Sequence, residues 1–147
     1  MAVKREAAVA WNGDLLSGNG TVSAKTSRAF TSLPVTWGSR TEAADGRTSP
    51  EELVAAAHSS CFAMALSFGL AGAGTPPERL DVSATVTFDQ VEGGWKVASS
   101  ALTVRGRVPG IDADGFRKAT EDARDGCPIS QALKGNVELS VEASLES

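Results

Sequence analysis

Two cysteines are the residues of this sequence with the greatest capacity for chemistry. Cys61 lies within an apolar, alanine-rich stretch, SPEELVAAAHSSCFAMALSF, and Cys127 lies in DGCPIS, immediately before a proline that can begin a new helix. A thiol at a helix N-terminus meets unpaired backbone N–H groups, which favour the thiolate. If folding brings the two thiols together, the chain carries a dithiol redox couple.

A pair of chemically inert cysteines is the simplest alternative. Free cysteine is among the most buried residue types, and often it only fills a core. The N-terminal segment, MAVKREAAVAWNGD, lacks the apolar stretch of a signal peptide, which predicts a cytoplasmic protein. In that reducing compartment, two cysteines are catalytic, sensing or simply buried more often than they form a permanent disulfide.

A reactive thiol needs a positive neighbour. Cys61 lies in the middle of an expected helix, where burial raises the pKa of a thiol unless a cation compensates. Arg40 and Arg47, in the segment before this helix, are the candidate cations. Glu51 and Glu52, in the first helical turn, are the candidate carboxylates that would hold the arginine in a directional ion pair.

Each of these residues also has a purely structural interpretation. Glu52 can complete a capping box, Glu51 can complement the helix dipole, and Arg40 can be a solvated loop residue. His58 shares a helical face with Cys61 and could act as a base or a metal ligand. The two cysteines and His58 make at most three ligands, without the paired-cysteine spacing of zinc sites. We therefore expect His58 to be a hydrogen-bonded packing residue.

Length and composition limit the classes of function. The chain has 147 residues, 41% hydrophobic and 22% charged, which predicts a single globular domain over residues 1–147. The net charge is −4, and no basic run exceeds Lys4–Arg5, so nucleic-acid binding has no electrostatic support. The longest apolar stretch is interrupted by His58 and by several serines, which argues against a membrane span.

The pattern of apolar residues predicts the elements that position the cysteines. Val3 to Trp11, the turn DLLSGNG and the following TVSAK indicate a β-hairpin, and residues 26–47 indicate a loop-rich segment. A helix begins after Ser49, with a capping box to Glu52, and ends near residues 69–74. Because this helix is apolar on nearly all sides, we expect it to be buried at the centre of the fold.

The second half of the chain alternates between strands and helices. The expected elements are strands over 82–88 and 95–108 with a bulge near Ala101–Leu102, a helix from Asp112 or Asp114 to Gly126, a short helix over 128–133, and a strand over 137–145. This order predicts an α+β fold in which an antiparallel sheet packs on the long central helix.

Five segments, in order along the chain, resemble one known family. They are AAVAWNGDLLSGNGTVS, VTWGSRTEAADGR, TSPEELVAAAHSSCFAMALS, VPGIDADGF and DGCPISQALKGNVELSVEASL. Together they closely resemble the osmotically inducible protein C / organic hydroperoxide resistance (OsmC/Ohr) family. The segments GID and CPISQ are more similar to the sequences of the osmotically inducible branch than to those of the organic hydroperoxide branch.

The resemblance implies a cysteine-based peroxidase that uses no metal, haem or flavin. It assigns the peroxidatic role to Cys61 and the resolving role to Cys127, with Arg40 as the activating arginine and Glu51 as the carboxylate that orients it. The implied substrate is an organic hydroperoxide or hydrogen peroxide, and the implied reductant is a lipoyl-type dithiol or a small thiol. The family forms an intertwined homodimer with active sites at the subunit interface.

Two other functions remain open on the residues themselves. The pair could pass disulfides as a redox sensor or exchanger, or the chain could be a ligand-binding domain with two inert thiols. Apolar neighbours of Cys61, namely Leu53, Phe62 and Met64, could form an entrance suited to alkyl hydroperoxides, although the same residues would serve a core equally well.

Overall fold

The computed structural model describes residues 1–146 and divides into two compact units, Met1–Leu53 and Val54–Ser147. The prediction of a single domain over residues 1–147 stays a prediction. Each unit contains one three-stranded sheet, and the α+β class predicted from the sequence is confirmed.

The first unit is built on the predicted hairpin. Strands β1 (Ala7–Asn12) and β2 (Asn19–Ala24) pair antiparallel, which confirms the hairpin, and β3 (Leu33–Val35) pairs antiparallel with β2. The segment expected to be loop-rich therefore contains a strand, and it also contains helix α1 (Trp37–Thr41). Both elements are too short to show a hydrophobic period in the sequence.

Helix α1 is short, but hydrogen bonds hold both of its ends. Thr36 caps the helix by accepting from the Ser39 N–H at 3.0 Å, and Ser39 Oγ accepts from the Thr36 N–H at 3.0 Å. Ser39 Oγ also lies 3.0 Å from the Thr48 carbonyl, which ties α1 to the chain just before the next helix. As a result Arg40, in the last turn of α1, has a defined position.

Helix α2 (Pro50–Gly72) is the long helix predicted around Cys61. Ser49 Oγ accepts from the Glu52 N–H at 3.1 Å, as a cap should. The Glu52 carboxylate accepts instead from Thr48 Oγ1 at 2.8 Å, so the predicted reciprocal capping box with Ser49 is wrong in its second half. Thr48 competes successfully because it lies four residues before Glu52, on the same side of the helix start.

Within one chain, α2 is buried along one stripe rather than on all sides. The stripe consists of His58, Phe62, Leu66 and Leu70, spaced four residues apart. On another face, Met64 and Phe68 are 72% and 84% exposed. The expectation of complete burial is therefore wrong for the single chain, because the sheet and helices of one chain cover only one side of a helix.

By length and composition alone, α2 would be able to cross a bilayer, since its mean hydropathy reaches 1.6 over an 18-residue window. The core helix of a soluble protein passes the same test. The buried stripe of α2 includes a histidine that is hydrogen-bonded at both ring nitrogens. The packed side of α2 thus has the polar contacts of a helix in a protein core, and 22% of its most apolar window is buried within one chain.

The second unit contains a mixed sheet. Strands β4 (Arg79–Val91) and β5 (Gly94–Arg107) pair antiparallel, as expected, whereas β6 (Glu138–Leu145) pairs parallel with β5. The prediction of an antiparallel sheet is therefore wrong for β6. Helices α3 (Ala113–Gly126) and α4 (Pro128–Leu133) form the connection, which is long enough to return the chain to the same end of the sheet.

The bulge between β4 and β5 lies earlier than predicted. Thr87 pairs with Ser99 and Phe88 pairs with Val97, so Ala98 is the extra residue, and the expected position at Ala101–Leu102 is wrong. The shift changes which residues of β5 face inward. Ser100 points into the core, together with Leu102 and Val104. The sequence pattern misled because both Ser99 and Ser100 are small and polar.

The core of the second unit joins α2, β5 and α3. Its buried members are Phe62, Leu66, Leu70, Leu102, Val104, Val108, Phe116, Ala123 and Cys127. One of the two cysteines is thus part of the core, and the other packs against it. This packing brings the middle of α2 against the start of α4.

Candidate active site

The two cysteines meet in the second unit. Their sulfur atoms lie 2.9 Å apart, and both cysteines are free thiols. Cys61 is in the middle of α2 and partly exposed, whereas Cys127 is the N-cap residue of α4 and has no exposed surface. At this separation either thiol can donate a hydrogen bond to the other, and the pair is within reach of disulfide formation.

The surroundings of Cys127 favour its thiolate. Burial acts to raise the pKa of Cys127, but the Cys61 thiol, the Ser130 N–H and hydroxyl, and the Ile129 N–H outweigh it, so the pKa of Cys127 lies below the ordinary value. The sulfur makes no well-aligned capping hydrogen bond, so these groups act as dipoles directed at the start of α4. The sequence prediction that this thiol meets unpaired N–H groups is confirmed.

The surroundings of Cys61 have the opposite effect. Burial raises the pKa of Cys61, and the hydrogen bond and charge of Cys127 raise it further, while the Ile129 N–H works in the other direction. In the middle of a helix the backbone N–H groups are already bonded, so α2 itself offers no donor to the sulfur. Within one chain, the surroundings of Cys61 therefore disfavour its thiolate.

Three polar side chains form a buried series of hydrogen bonds that includes His58, one helical turn before Cys61, and Ser130, in the first turn after Cys127. His58 Nδ1 lies 2.6 Å from Ser100 Oγ, and His58 Nε2 lies 2.7 Å from Ser130 Oγ. Burial lowers the pKa of His58, so the ring is neutral at pH 7. The expectation that His58 is a hydrogen-bonded packing residue is confirmed.

The first unit holds the predicted arginine and its carboxylate together. Arg40 Nε donates to both oxygens of Glu51 at 3.0 and 3.1 Å, and Arg40 Nη2 donates to Glu51 Oε1 at 2.8 Å. Glu51 is buried, and the Arg40 guanidinium also lies 5.9 Å from the centre of the Trp37 ring. This bidentate geometry fixes both the position and the plane of the guanidinium.

The two alternative site residues of this segment are occupied elsewhere. Arg47 pairs with the exposed Asp45 at 3.5 Å, in the range of a weak surface ion pair. Glu52 accepts the hydrogen bond from Thr48 described above. The geometry therefore distinguishes Arg40 and Glu51 from the candidates that the sequence left open.

An apolar groove of about 900 Å³ opens beside Cys61 in the second unit. Met64, Phe68, Ile111 and Ala119 contribute to its walls, and Lys118 and Asp122 contribute charges. Of the apolar residues predicted to form an entrance, only Met64 lines this groove. Phe62 is fully buried in the core, which makes that part of the prediction wrong.

Leu53 belongs to a different cleft, in the first unit. This cleft has a volume of about 350 Å³, and its lining is almost entirely apolar, with Trp11, Val22, Trp37 and Leu53 among its walls. Arg40 also lines it and is the charged member of the lining. The guanidinium held by Glu51 is thus presented at an apolar surface.

The structure thus assembles the predicted residues into two pairs, one in each unit. Cys61 meets Cys127, and Arg40 meets Glu51. The prediction that the guanidinium faces the Cys61 sulfur stays a prediction. Among residues 1–146, no group of three His, Cys, Asp or Glu side chains is arranged to hold a metal ion.

Ser100 and Ser130 are the polar neighbours that the sequence did not reveal. Both are fully buried, and both bind His58 from elements far away in the chain. For Ser130 there was a local signal, because it lies three residues after the helix cap Cys127, where side chains face the cap. For Ser100 the signal was its spacing of two and four residues from the buried Leu102 and Val104, which the bulge wrongly predicted at Ala101–Leu102 obscured.

Comparison with known proteins gives a consistent result. Residues 43–142 match a family model described as OsmC-like protein. The chain is 40% identical to peroxiredoxin OsmC of Escherichia coli over 95% of its own length and 96% of the relative. It is 29% identical to organic hydroperoxide resistance protein OhrA of Bacillus subtilis, over 66% of this chain and 67% of the relative.

The fold is shared with a solved structure. The crystal structure of organic hydroperoxide resistance protein OhrB of Bacillus subtilis matches with a TM-score of 0.74 and 24% identity, covering 95% of this chain and 98% of that one. The predicted fold class is therefore confirmed. The higher identity and coverage with peroxiredoxin OsmC agree with the branch that the segments GID and CPISQ indicated.

Proposed function

The chain belongs to the OsmC-like protein family, and on that premise we propose that Cys61 attacks the peroxide, that Cys127 resolves the product, and that Arg40, oriented by Glu51, activates Cys61. The relatives are named as a peroxiredoxin and as organic hydroperoxide resistance proteins. The chain is accordingly a cysteine-based peroxidase that reduces hydroperoxides in stress defence. The observation that carries the mechanism is the 2.9 Å contact between the two sulfurs.

Access decides which sulfur attacks. Cys61 borders the open apolar groove, whereas Cys127 has no exposed surface. A peroxide can therefore approach Cys61 but not Cys127. The apolar walls that α3 and the segment before it contribute to the groove, Ala119 and Ile111, favour an alkyl chain, so the substrate class is an organic hydroperoxide, with hydrogen peroxide as a smaller alternative.

The reaction then proceeds through known sulfur chemistry. The Cys61 thiolate attacks the terminal oxygen of the hydroperoxide, the O–O bond breaks, and the alkoxide leaves as an alcohol after gaining a proton. Cys61 is left as a sulfenic acid. The Cys127 thiolate attacks its sulfur, the S–S bond forms, and hydroxide leaves and is protonated to water. An external dithiol, lipoyl-type or small, reduces the disulfide by exchange.

The first step requires a cation beside the Cys61 sulfur. Glu51 and Cys61 are ten residues apart in α2, which corresponds to about 15 Å along the helix axis. Helical side chains also lean towards the N-terminus, away from Cys61 in the case of Glu51. We therefore infer that the arginine held by Glu51 serves the Cys61 of a second chain.

A homodimer meets this requirement. The exposed apolar face of α2, with Met64 and Phe68, would be covered by a second copy, because monomers rarely leave such side chains together in water. An isologous interface would exchange Arg40 and Glu51 between the copies in both directions. We expect this dimer to work in the cytoplasm.

Peroxide consumption tests the proposal. Reduced protein is mixed with cumene hydroperoxide or hydrogen peroxide in the presence of a dithiol, and the loss of peroxide is followed. The expected result is continuous turnover, far faster than with free cysteine. A protein that forms the Cys61–Cys127 disulfide but does not turn over with dithiol would be a redox sensor or exchanger instead. A pair that stays reduced under stoichiometric peroxide would be inert.

A further inference from the structure

The buried hydrogen bonds that join Ser100, His58 and Ser130 take no part in the reaction steps of Cys61 and Cys127. The imidazole binds a serine hydroxyl on each side, at 2.6 and 2.7 Å, and none of the three residues is more than 1% exposed. Buried polar groups are costly unless their hydrogen bonds are satisfied. A core that could have been apolar instead holds three polar side chains, and one of them, Ser130, lies in the first turn of the helix that Cys127 caps.

Because His58 is neutral, the donors and acceptors of its two hydrogen bonds with Ser100 and Ser130 must be ordered in one of two ways. A neutral imidazole has one N–H donor and one acceptor nitrogen, and each serine hydroxyl has a single proton to donate. If Nε2 carries the proton, it donates to Ser130 Oγ, and the Ser130 hydroxyl keeps its own proton for a third group. If Nδ1 carries the proton, Ser130 must donate to Nε2 and can only accept from the third group.

Cys127 is the third group beside Ser130. Cys127 is the N-cap residue of α4, and Ser130 is the third residue of that helix, the position that lies next to the cap, although the Cys127 side chain makes no capping hydrogen bond in this structure. The Ser130 hydroxyl is one of the groups that lower the pKa of Cys127. The tautomer with the proton on Nε2 therefore suits the Cys127 thiolate, and the other tautomer suits the thiol.

We propose that His58 and Ser100 are positioning residues for Cys127, because they turn the Ser130 hydroxyl proton towards its sulfur and so stabilise the attacking thiolate. This role rests on the resolving function proposed above. In that step the S–S bond forms between Cys127 and Cys61, the S–O bond of the Cys61 sulfenic acid breaks, and hydroxide becomes water in the open groove. The proton that Cys127 lost balances the one gained by hydroxide, and His58 stays neutral throughout.

Other ionisable groups near Ser130 and Cys127 also affect the pKa of Cys127. Cys61 faces Cys127 from α2. Arg124 and Asp125 of α3 and Lys134 after α4 line, together with Ser130, a small cleft of about 280 Å³. Arg124 and Asp125 form an ion pair at 2.9 Å. Cys61 is replaced by serine in every variant below, and Arg124, Asp125 and Lys134 are left unchanged, so the effect of these positions on Cys127 is the same in all the proteins compared.

The test measures the pKa of Cys127 directly. In a Cys61→Ser background Cys127 is the only thiol, so the ultraviolet absorbance of the thiolate, followed against pH, reports it alone. We expect Ser130→Ala to raise the pKa of Cys127 by about one unit, which is a tenfold loss of thiolate below the pKa. Ser100→Ala should raise it by a smaller amount, since its hydroxyl acts through the imidazole.

Two further variants separate positioning from packing. Thr120→Val removes another buried hydroxyl, which donates to the Arg117 carbonyl at 2.7 Å, and should leave the pKa of Cys127 unchanged. His58→Gln should retain the low pKa, because an amide also offers a donor and an acceptor to the two serines. His58→Leu should lose it. If His58→Leu does not fold, Ser100→Ala provides the decisive measurement.

The proposal has clear contrary outcomes. An unchanged pKa in both serine variants would overturn it, and so would an equal rise in Thr120→Val. A rise in Ser130→Ala without any in Ser100→Ala would mean that Ser130 acts alone, which would overturn the role of His58. The titration needs no peroxide, so failure of the proposed function would appear separately, as absent peroxide consumption by the unsubstituted protein.

Discussion

Cys61 Sγ and Cys127 Sγ lie 2.9 Å apart, although 66 positions of the chain separate the two residues. The contact joins the middle of α2 to the N-cap residue of α4, and the buried core around Cys127 holds it in place. One sulfur borders an open groove and the other is enclosed. The same pair therefore contains an accessible thiol for the substrate and a protected thiol for the second step.

Replacing each of the two cysteines should cause a different defect in peroxide reduction. Cys61→Ser should abolish peroxide turnover, because the enclosed Cys127 is not accessible to the peroxide. Cys127→Ser should permit one reduction per subunit and then leave Cys61 as a sulfenic or more highly oxidised acid. Mass spectrometry of each variant after stoichiometric peroxide measures both results. Full turnover by Cys61→Ser would contradict the assignment of the attacking sulfur.

Arg40 should matter more than Arg47. Arg40→Ala removes the cation proposed for the Cys61 thiolate and should slow peroxide reduction about a hundredfold at neutral pH, as expected for loss of one strong electrostatic contact. Arg47, paired only with the exposed Asp45, is the matched control, and Arg47→Ala should change the rate little. If the two results were reversed, the assignment of the arginine would be wrong.

The defect of Arg40→Ala should also depend on pH. Burial and the neighbouring Cys127 raise the pKa of Cys61, so without the cation its thiolate becomes abundant only as the pH rises above the ordinary range of a cysteine. The rate of the first step in Arg40→Ala should therefore increase with pH and approach the rate of the unsubstituted protein. Single-turnover kinetics over a range of pH measure this, and a defect that stays constant with pH would argue against the charge mechanism.

If the site is shared between two copies, two inactive variants should complement each other. A mixed dimer of Cys61→Ser and Arg40→Ala contains one site with both Cys61 and Arg40. After the variants are unfolded and refolded together, random pairing should restore roughly a quarter of the activity of the unsubstituted protein. Each variant refolded alone is the control. No recovery in a mixture that forms dimers would mean that each chain uses its own arginine.

Gly106 should be required for stability because of a close approach in the core. A Cβ at this position would lie 2.5 Å from Cζ of the fully buried Phe116 and 3.3 Å from Leu80. Gly106→Ala should lower the free energy of unfolding by about 1–3 kcal/mol, the usual cost of overpacking. Gly72→Ala is the control, since a Cβ at Gly72 meets nothing within 4 Å. Urea denaturation of both variants measures the difference.

Much of the fold could be predicted because its signals are local. The hairpin, the start of α2 after Ser49, the cap of α3 at Asp112 and the proline that begins α4 each depend on residues a few positions apart. Alternation within β6 was also evident, but its direction was not. A strand pairs with backbone from a distant part of the chain, so its own side-chain pattern is the same in parallel and antiparallel sheets.

The candidate site likewise has features that the sequence determines and features that depend on the tertiary structure. The sequence by itself determined which residues are chemically capable, because Cys61, Cys127, Arg40 and Glu51 lie in segments that resemble one family. Only the tertiary structure gave the two thiols opposite pKa shifts, because these shifts depend on burial and on the groups at the start of α4. It also decided that His58 binds serines 42 and 72 positions away. Hydrogen bonds across such distances depend on how the elements pack, and no spacing along the chain encodes them.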